Sequence, residues 1–227
     1  MDDRALFTAF QQTAGLVPDR EMTDTFLHYP GDLVITSGRF VACDPWFCAN
    51  ASPFEAPLIE PGRYRVALEV ARFSNEDQRI ALAAVIFRHQ LPVRWENART
   101  ADDTDKILAF QDAETARRLA DAFVGYGVDS GTGCFLDAQT ADAFDRLLFT
   151  NESEMHDPLI EALEKHYVDT WNWADVCVDE QTGANVIAFS SGWGDGGYAS
   201  FFGYGEDGLP VCLLTDFGVW RWPTEKE

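Results

Sequence analysis

Glycines dominate one segment in the C-terminal third of the chain and restrict the structures that it can form. Seven of them lie between Gly192 and Gly208, separated by short aromatic or aliphatic runs. Glycine weakens helices and permits tight turns, while the apolar runs have the length of short strands. The segment therefore predicts antiparallel strands joined by turns near residues 192–197 and 205–208.

The same segment contains a G-x-G-x-x-G match at Gly192, Gly194 and Gly197, a pattern that also occurs in dinucleotide-binding loops. Such a loop needs a helix directly after the glycines, because the helix N-terminus holds the pyrophosphate. Here the glycines are followed by an aromatic stretch that further glycines interrupt. A protein-kinase loop is also excluded, because no lysine occurs between Lys165 and Lys226. We therefore expect no nucleotide and no other cofactor.

Hydrophobic periodicity elsewhere in the chain predicts strands and helices in separate runs. Alternating apolar residues at Tyr64, Val66, Leu68 and Val70 indicate one strand with a buried face. Further strands are expected at residues 79–88 and 91–98, and as a hairpin around Ser37-Gly38 within residues 31–45. Helices are expected at residues 2–15, 112–123, 137–148 and 157–167, the last three each opened by an aspartate.

This arrangement favours the α+β class: a single domain with a largely antiparallel sheet and a few short helices. Strict alternation of strands and helices, the mark of a parallel sheet, is missing from the pattern. We assign residues 1–30 to an N-terminal helical segment and residues 31–218 to the core of a single domain that spans residues 1–227.

The chain is strongly acidic, with 17 lysines and arginines against 38 aspartates and glutamates and a formal net charge of −21. No lysine or arginine occurs between His166 and Trp220, a span that contains eight acids. Such a charge repels phosphate groups, so we expect neither nucleic acid nor a membrane as partner. The acids either keep the protein soluble or attract a basic protein.

Two features of the sequence predict a cytoplasmic protein. The longest uninterrupted apolar run, from Ile80 to Phe87, has eight residues, whereas a membrane-spanning helix needs about 20. The N-terminus carries Asp2 and Asp3 where a secretory signal has positive charge.

The cysteines and histidines predict reduced thiols and no metal site. The chain has five cysteines, an odd number with scattered spacing, which is not the pattern of a disulfide framework. Cys43 and Cys48 have no second pair with which to complete a zinc site, and the four histidines form no known ligand motif.

A second glycine-rich stretch, residues 125–137, offers two catalytic interpretations. Residues 129–132 match the D-[ST]-G-[ST] turn of aspartic proteases, but that chemistry needs two such aspartates and the chain has one copy. Alternatively, Cys134 could be a nucleophile with His156 or His166 as its base. A cysteine in an apolar run is more often buried and inert.

Taken together, three stretches, residues 37–45, 125–137 and 185–218, resemble the bacterial domain of unknown function 4241, and the similarity covers roughly residues 31–218. The resemblance implies a single domain and suggests that the loops around Asp129 and Asp195 belong together. We expect these two aspartates on neighbouring turns. The family has no assigned activity, so the resemblance implies no catalytic residue.

Two hypotheses for the function remain open at this stage. The first is a non-catalytic acidic cytosolic interaction protein, of which a toxin-neutralising immunity protein is the concrete form. Its candidate binding residues are Trp193, Asp195, Tyr198, Tyr204, Glu206 and Asp207. The alternative is a hydrolase whose carboxylates and thiol lie on glycine-rich turns. Its candidate catalytic residues are Asp129, Cys134, Asp195 and Asp216.

Overall fold

The computed structural model describes residues 2–108, 124–149 and 157–223. In these ranges the chain forms antiparallel strands and a few short helices, which confirms the predicted α+β class. The helices are α1 (Arg4–Ala14), α2 (Ala101–Leu108), α3 (Ala141–Phe149) and α4 (Pro158–Lys165), with a 3₁₀ helix at Pro45–Asn50. The helix predicted at residues 112–123 lies outside the described residues.

Eleven strands are described, and they form two sheets. The strands are β1 (Asp24–Ile35), β2 (Phe40–Cys43), β3 (Gly62–Arg72), β4 (Gln78–Ile86), β5 (Arg94–Asn97), β6 (Gly125–Val128), β7 (Thr132–Asp137), β8 (Trp173–Asp179), β9 (Ala184–Ser190), β10 (Gly196–Tyr204) and β11 (Pro210–Asp216). The large sheet has the order β1-β3-β4-β11-β10-β5, with β6 also paired to β10. The small sheet has the order β2-β7-β9-β8.

The two sheets face each other across a central apolar core, and helices cover their outer faces. The predicted alternation of β3 is confirmed, because Val66, Leu68 and Val70 lie in this core. Ala67 and Ala71 point the other way, where α1 packs on the large sheet. Helices α3 and α4 and the 3₁₀ helix cover the outer face of the small sheet.

The predicted hairpin around Ser37-Gly38 is wrong, because its two strands belong to different sheets. Strand β1 pairs with β3 in the large sheet, and β2 pairs with β7 in the small sheet. The turn therefore carries the chain from one sheet to the other. Gly38 has φ +78°, and a Cβ there would lie 2.5 Å from the Ile59 carbonyl oxygen, so the turn requires glycine. Strand β1 also begins at Asp24, inside the segment that the sequence assigned to the N-terminal helical part.

The prediction for the glycine-rich C-terminal segment is confirmed. Strands β9, β10 and β11 follow one another through turns at residues 191–195 and 205–209. Tyr198 lies inside β10, where a nucleotide-binding loop would have begun its helix. Within the three described ranges, no helix has the length and apolar character needed to cross a bilayer.

A stack of histidines and tryptophans joins β1 to the start of β8. His166 lies flat on Trp173 with 3.9 Å between ring centroids, and the His28 ring lies 5.1 Å from both Trp171 and Trp173. His28 Nε2 and His166 Nδ1 are buried and have no hydrogen-bond partner among the described residues. Burial and the neighbouring His166 lower the pKa of His28, so the fold favours its neutral form.

This stack predicts a loss of stability on acidification. A histidine whose pKa is lower in the folded than in the unfolded state destabilises the fold as the pH falls below about 6.5. The free energy of unfolding should therefore fall between pH 7 and pH 5, and it should fall less in His28→Gln. Urea unfolding at several pH values measures the difference, with exposed His89→Gln as the control. Equal pH slopes for the wild type and His28→Gln would contradict this account.

Candidate functional site

The turns that carry Asp129 and Asp195 touch each other, as the sequence predicted. The Ser191 amide donates a hydrogen bond of 3.0 Å to the Gly131 carbonyl, which joins the β6–β7 turn to the β9–β10 turn. A Cβ on Gly131 would lie 3.8 Å from the Gly194 Cα, so the two backbones pass close to each other. Both aspartate side chains are exposed beside this contact.

The buried carboxylate of Asp44 fixes the backbone of the β6–β7 turn. It accepts hydrogen bonds from the amides of Asp129 (3.0 Å) and Ser130 (2.9 Å), and also from the Trp46 amide (3.1 Å). Its negative charge is thereby satisfied by three backbone donors. The Asp129 carboxylate itself makes no hydrogen bond or ion pair with another described residue. The turn therefore holds Asp129 in place and leaves its charge available at the surface.

A second set of internal hydrogen bonds shapes the β9–β10 turn. The Tyr198 hydroxyl donates to the carbonyl of Gly194 (2.6 Å), and the Ser191 hydroxyl donates to the same oxygen (2.9 Å). Gly192 has φ +51°, and a Cβ there would lie 2.5 Å from the Phe217 carbonyl oxygen. Tyr198 is thus buried and supports the turn, which presents Trp193 to solvent with 53% of its surface exposed.

The Trp193 indole is held against the β3–β4 turn. Its ring centroid lies 5.3 Å from that of Phe73, and the Arg79 guanidinium lies over it at 5.0 Å. Arg79 is itself fixed by an ion pair of 2.7 Å to Asp77. These contacts hold the indole in one place while much of its surface stays in water. Tryptophan is enriched among the hot spots of protein interfaces.

Residues 169 and 170, which precede β8, lie at the same end of the molecule as the β3–β4 turn. The Gln78 amide donates to the Thr170 hydroxyl (2.8 Å), and the Gln78 side chain donates to the Asp169 carboxylate (3.0 Å). Four segments that are distant in sequence therefore meet at one end of the two sheets. We call this surface the acidic turn face. It consists of Trp193 with Glu76, Asp77, Asp129, Asp169 and Asp195.

The sequence identified only part of this face. Trp193, Asp129 and Asp195 were candidates, because they lie in the two glycine-rich stretches of the sequence. Glu76, Asp77 and Asp169 were missed, since single acids in polar turns carry no signal of their own. The β3–β4 turn reaches this end because β3 pairs with β4, β4 with β11 and β11 with β10, all antiparallel. Asp169 lies there because it accepts a hydrogen bond from Gln78 of β4.

The four hydrolase candidates are not brought together. Cys134 is fully buried on the outer face of the small sheet, and burial raises the pKa of its thiol. Asp216 is buried at the large sheet, where its carboxylate accepts hydrogen bonds from the Trp222 indole (2.7 Å) and the Gly218 amide (2.9 Å). Trp222 packs on Phe10 of α1, so Asp216 faces the opposite outer side from Cys134. Only Asp129 and Asp195 share a surface.

The sequence offered two histidines, His166 and His156, as bases for Cys134. His166 is stacked on Trp173 at the start of β8. His156 lies outside the described residues.

The remaining binding candidates lie at the other end of β10. Tyr204 is buried beneath the Arg94 guanidinium, which lies 4.2 Å from its ring centroid. Asp207 forms a bidentate ion pair with Arg88 at 2.7 and 2.9 Å, and these hydrogen bonds lower the pKa of Asp207 to about 2. Glu206 is exposed on the same turn. These three residues are therefore remote from Trp193.

A cleft of about 250 Å³ opens between β2 and the N-terminus of α2. Its acids are engaged in internal hydrogen bonds: Asp103 with Thr100, Asp102 with Ser52, and Asp44 with the β6–β7 turn. The thiol-bearing Cys43 also lines it. Across the part of the chain that the structure describes, no group of three or more His, Cys, Asp or Glu residues is arranged to hold a metal ion.

Comparison with known proteins gives one match. A family model described as "Protein of unknown function (DUF4241)" matches residues 33–215, which is most of the chain. No curated protein and no solved structure matches the chain.

Proposed function

Because the chain belongs to the DUF4241 family, whose description names no activity, we propose a function from its surface: the protein binds a basic protein partner through the acidic turn face. In this proposal it works without catalysis, in the cytoplasm, in the manner of an immunity protein that neutralises a basic toxin.

The observation that carries the proposal is the exposed Trp193 at the same end of the molecule as acids from four separate segments. A tryptophan that is already fixed loses little conformational freedom on binding, and tryptophan is enriched among interface hot spots. The surrounding carboxylates steer a basic partner towards this residue and disfavour acidic competitors. The partner of such a face carries a cationic surface with an apolar pocket for the indole.

The acids of this face leave negative charge beside the exposed indole. Arg79 forms its ion pair with Asp77. The carboxylates of Asp129 and Asp195 have no ion-pair partner within the described ranges. By contrast, Asp207 at the opposite end is neutralised by Arg88. Negative charge that no ion pair neutralises thus lies next to the exposed indole, where a partner would use it.

The test compares two variants that remove the same charge from opposite ends of the molecule. The first is Asp129→Asn with Asp195→Asn on the acidic turn face. The control is Glu180→Gln with Glu206→Gln, on exposed turns at the far ends of β9 and β10. Partners are captured at low salt from an extract of the source organism, identified, and then purified for affinity measurements.

We expect a basic protein that binds the wild type and the control variant with similar Kd. Neutralising the two aspartates of the face should weaken it roughly 10-fold, in the range expected for close interfacial charges. Equal weakening by both variants would mean that only total charge matters. That result, or the failure to retain any basic protein at low salt, would refute the proposal.

A further inference from the structure

Two buried cysteines lie directly opposite each other in the small sheet. Cys43 at the end of β2 is the register partner of Cys134 in β7, and their Sγ atoms are 3.6 Å apart. Both thiols lie on the outer face of this sheet, beneath the 3₁₀ helix and α3. All five cysteines are free thiols in the structure.

We propose that Cys43 and Cys134 form a redox modification site, at which a peroxide converts the two thiols into an intramolecular disulfide. Directly opposed residues of an antiparallel pair have Cα atoms about 4.5–5.5 Å apart, which is inside the range that disulfides span. The sulfurs need to approach by about 1.5 Å, given a bond length of about 2.05 Å, and small side-chain rotations supply this. The bond ties β2, an edge strand of the small sheet, to its neighbour β7.

The cleft beside β2 offers the oxidant a route towards one residue of the pair, since Cys43 is 5% exposed and Cys134 is fully buried. Cys43 lines this cleft of about 250 Å³, whereas Cys134 does not, and hydrogen peroxide is small enough to enter. Cys43 is therefore the sulfur that reacts first. Burial and the adjacent Cys43 raise the pKa of the Cys134 thiol, which disfavours Cys134 as the thiolate that attacks peroxide first.

The reaction balances in two steps. The Cys43 sulfur attacks one peroxide oxygen and the O–O bond breaks, which gives a sulfenic acid and one water. The Cys134 sulfur then attacks the Cys43 sulfur, the S–O bond breaks, and the hydroxyl leaves as a second water with the Cys134 proton. Two thiols lose two electrons and two protons, and one peroxide is reduced to two waters.

Cys48 could compete with Cys134 for the disulfide, but its thiol is directed away by a hydrogen bond. Cys48 is buried, its thiol points to the Ala141 carbonyl at 3.6 Å, and burial raises the pKa of Cys48 to about 12. Cys212 is buried on the far side of the large sheet, against α1. Cys177 is exposed on β8, so it is the thiol most open to intermolecular disulfides.

The experiment uses the full chain with Cys177→Ser, which removes intermolecular oxidation and leaves four of the five cysteines. The reduced protein is treated with a small excess of hydrogen peroxide, quenched by alkylation in denaturant, and analysed by thiol count, intact mass and non-reducing peptide mapping. We expect two thiols to be lost, the mass to fall by two hydrogen atoms, and one cross-linked peptide pair to contain Cys43 and Cys134. Dithiothreitol should restore all four thiols.

Matched variants identify the sulfurs involved. Cys43→Ala and Cys134→Ala in the same background should each abolish the cross-link, and Cys212→Ala should leave it unchanged. If a β2 or β7 variant fails to fold, the peptide map of the parent protein still decides the question. Four free thiols after peroxide, a Cys43–Cys48 cross-link, or over-oxidised Cys43 without a cross-link would each overturn the proposal.

Discussion

Replacing Trp193 by alanine should raise the Kd for the proposed basic partner by about 30-fold or more, which corresponds to a loss of about 2 kcal/mol. The indole is 53% exposed in the free protein and is already positioned by Phe73 and Arg79, so its burial on binding is favourable at little entropic cost. Isothermal titration calorimetry with the purified partner measures the change.

The matched control for this substitution is Leu209→Ala. Leu209 is similarly exposed, at 56%, but it lies on the β10–β11 turn at the opposite end of β10. Its removal should leave Kd within about 2-fold of the wild type, since isolated exposed apolar residues need no functional explanation. Equal effects of the two substitutions would show that Trp193 is not the anchor of the interface.

Replacing Asp137 by alanine should lower the free energy of unfolding by about 3–5 kcal/mol, the largest effect on stability that we expect. This fully buried carboxylate accepts hydrogen bonds from the amides of Thr36 (3.0 Å), Ser37 (2.8 Å) and Gln139 (2.9 Å). The hydroxyls of Thr36 and Ser37 also donate to it. It thereby holds the turn that carries the chain between the two sheets, and its loss leaves several donors unpaired.

Urea unfolding followed by circular dichroism measures this effect. Asp137→Asn keeps one carbonyl acceptor in place and should cost clearly less than alanine. Glu180→Ala, on an exposed turn, should change stability by less than about 0.5 kcal/mol. A loss of less than about 1 kcal/mol for Asp137→Ala would mean that other contacts fix the turn between the sheets.

Local sequence patterns were sufficient to predict much of the fold. The glycine-rich segment specified the turns around β10, because each tight turn needs backbone that only glycine adopts easily. Alternation in β3 identified its buried face correctly. Asp157 was correctly placed at a helix start, where it accepts the amides of Leu159 and Ile160.

The errors arose where a non-local contact decides the structure. The runs on either side of Ser37-Gly38 have the local pattern of a hairpin. In the structure, however, the first run (β1) pairs with β3 and the second run (β2) pairs with β7. In sequence, Asp137 resembles a helix N-cap. In the structure, its carboxylate instead accepts hydrogen bonds from Thr36 and Ser37, which lie about 100 residues earlier in the chain.

The same dependence on non-local contacts made the candidate site only partly predictable. The contact between the turns of Asp129 and Asp195 was expected, because the family resemblance suggested that the two loops belong together. Whether a tyrosine next to such a turn faces solvent cannot be read from the sequence, and both Tyr198 and Tyr204 of β10 are buried. Likewise, nothing local indicates that Arg88, 119 residues away, neutralises Asp207.

The association rate constant as a function of salt concentration tests the proposed interface most directly. The Debye length falls from about 30 Å at 0.01 M to about 8 Å at 0.15 M, so steering by exposed acids should weaken steeply over this range. Stopped-flow mixing with the purified partner should give a steep salt dependence for the wild type and for Glu180→Gln with Glu206→Gln. Asp129→Asn with Asp195→Asn should associate more slowly at 0.01 M and depend less on salt, with the dissociation rate changed less. Identical salt dependence in the two charge-matched variants would contradict a docking site on the acidic turn face.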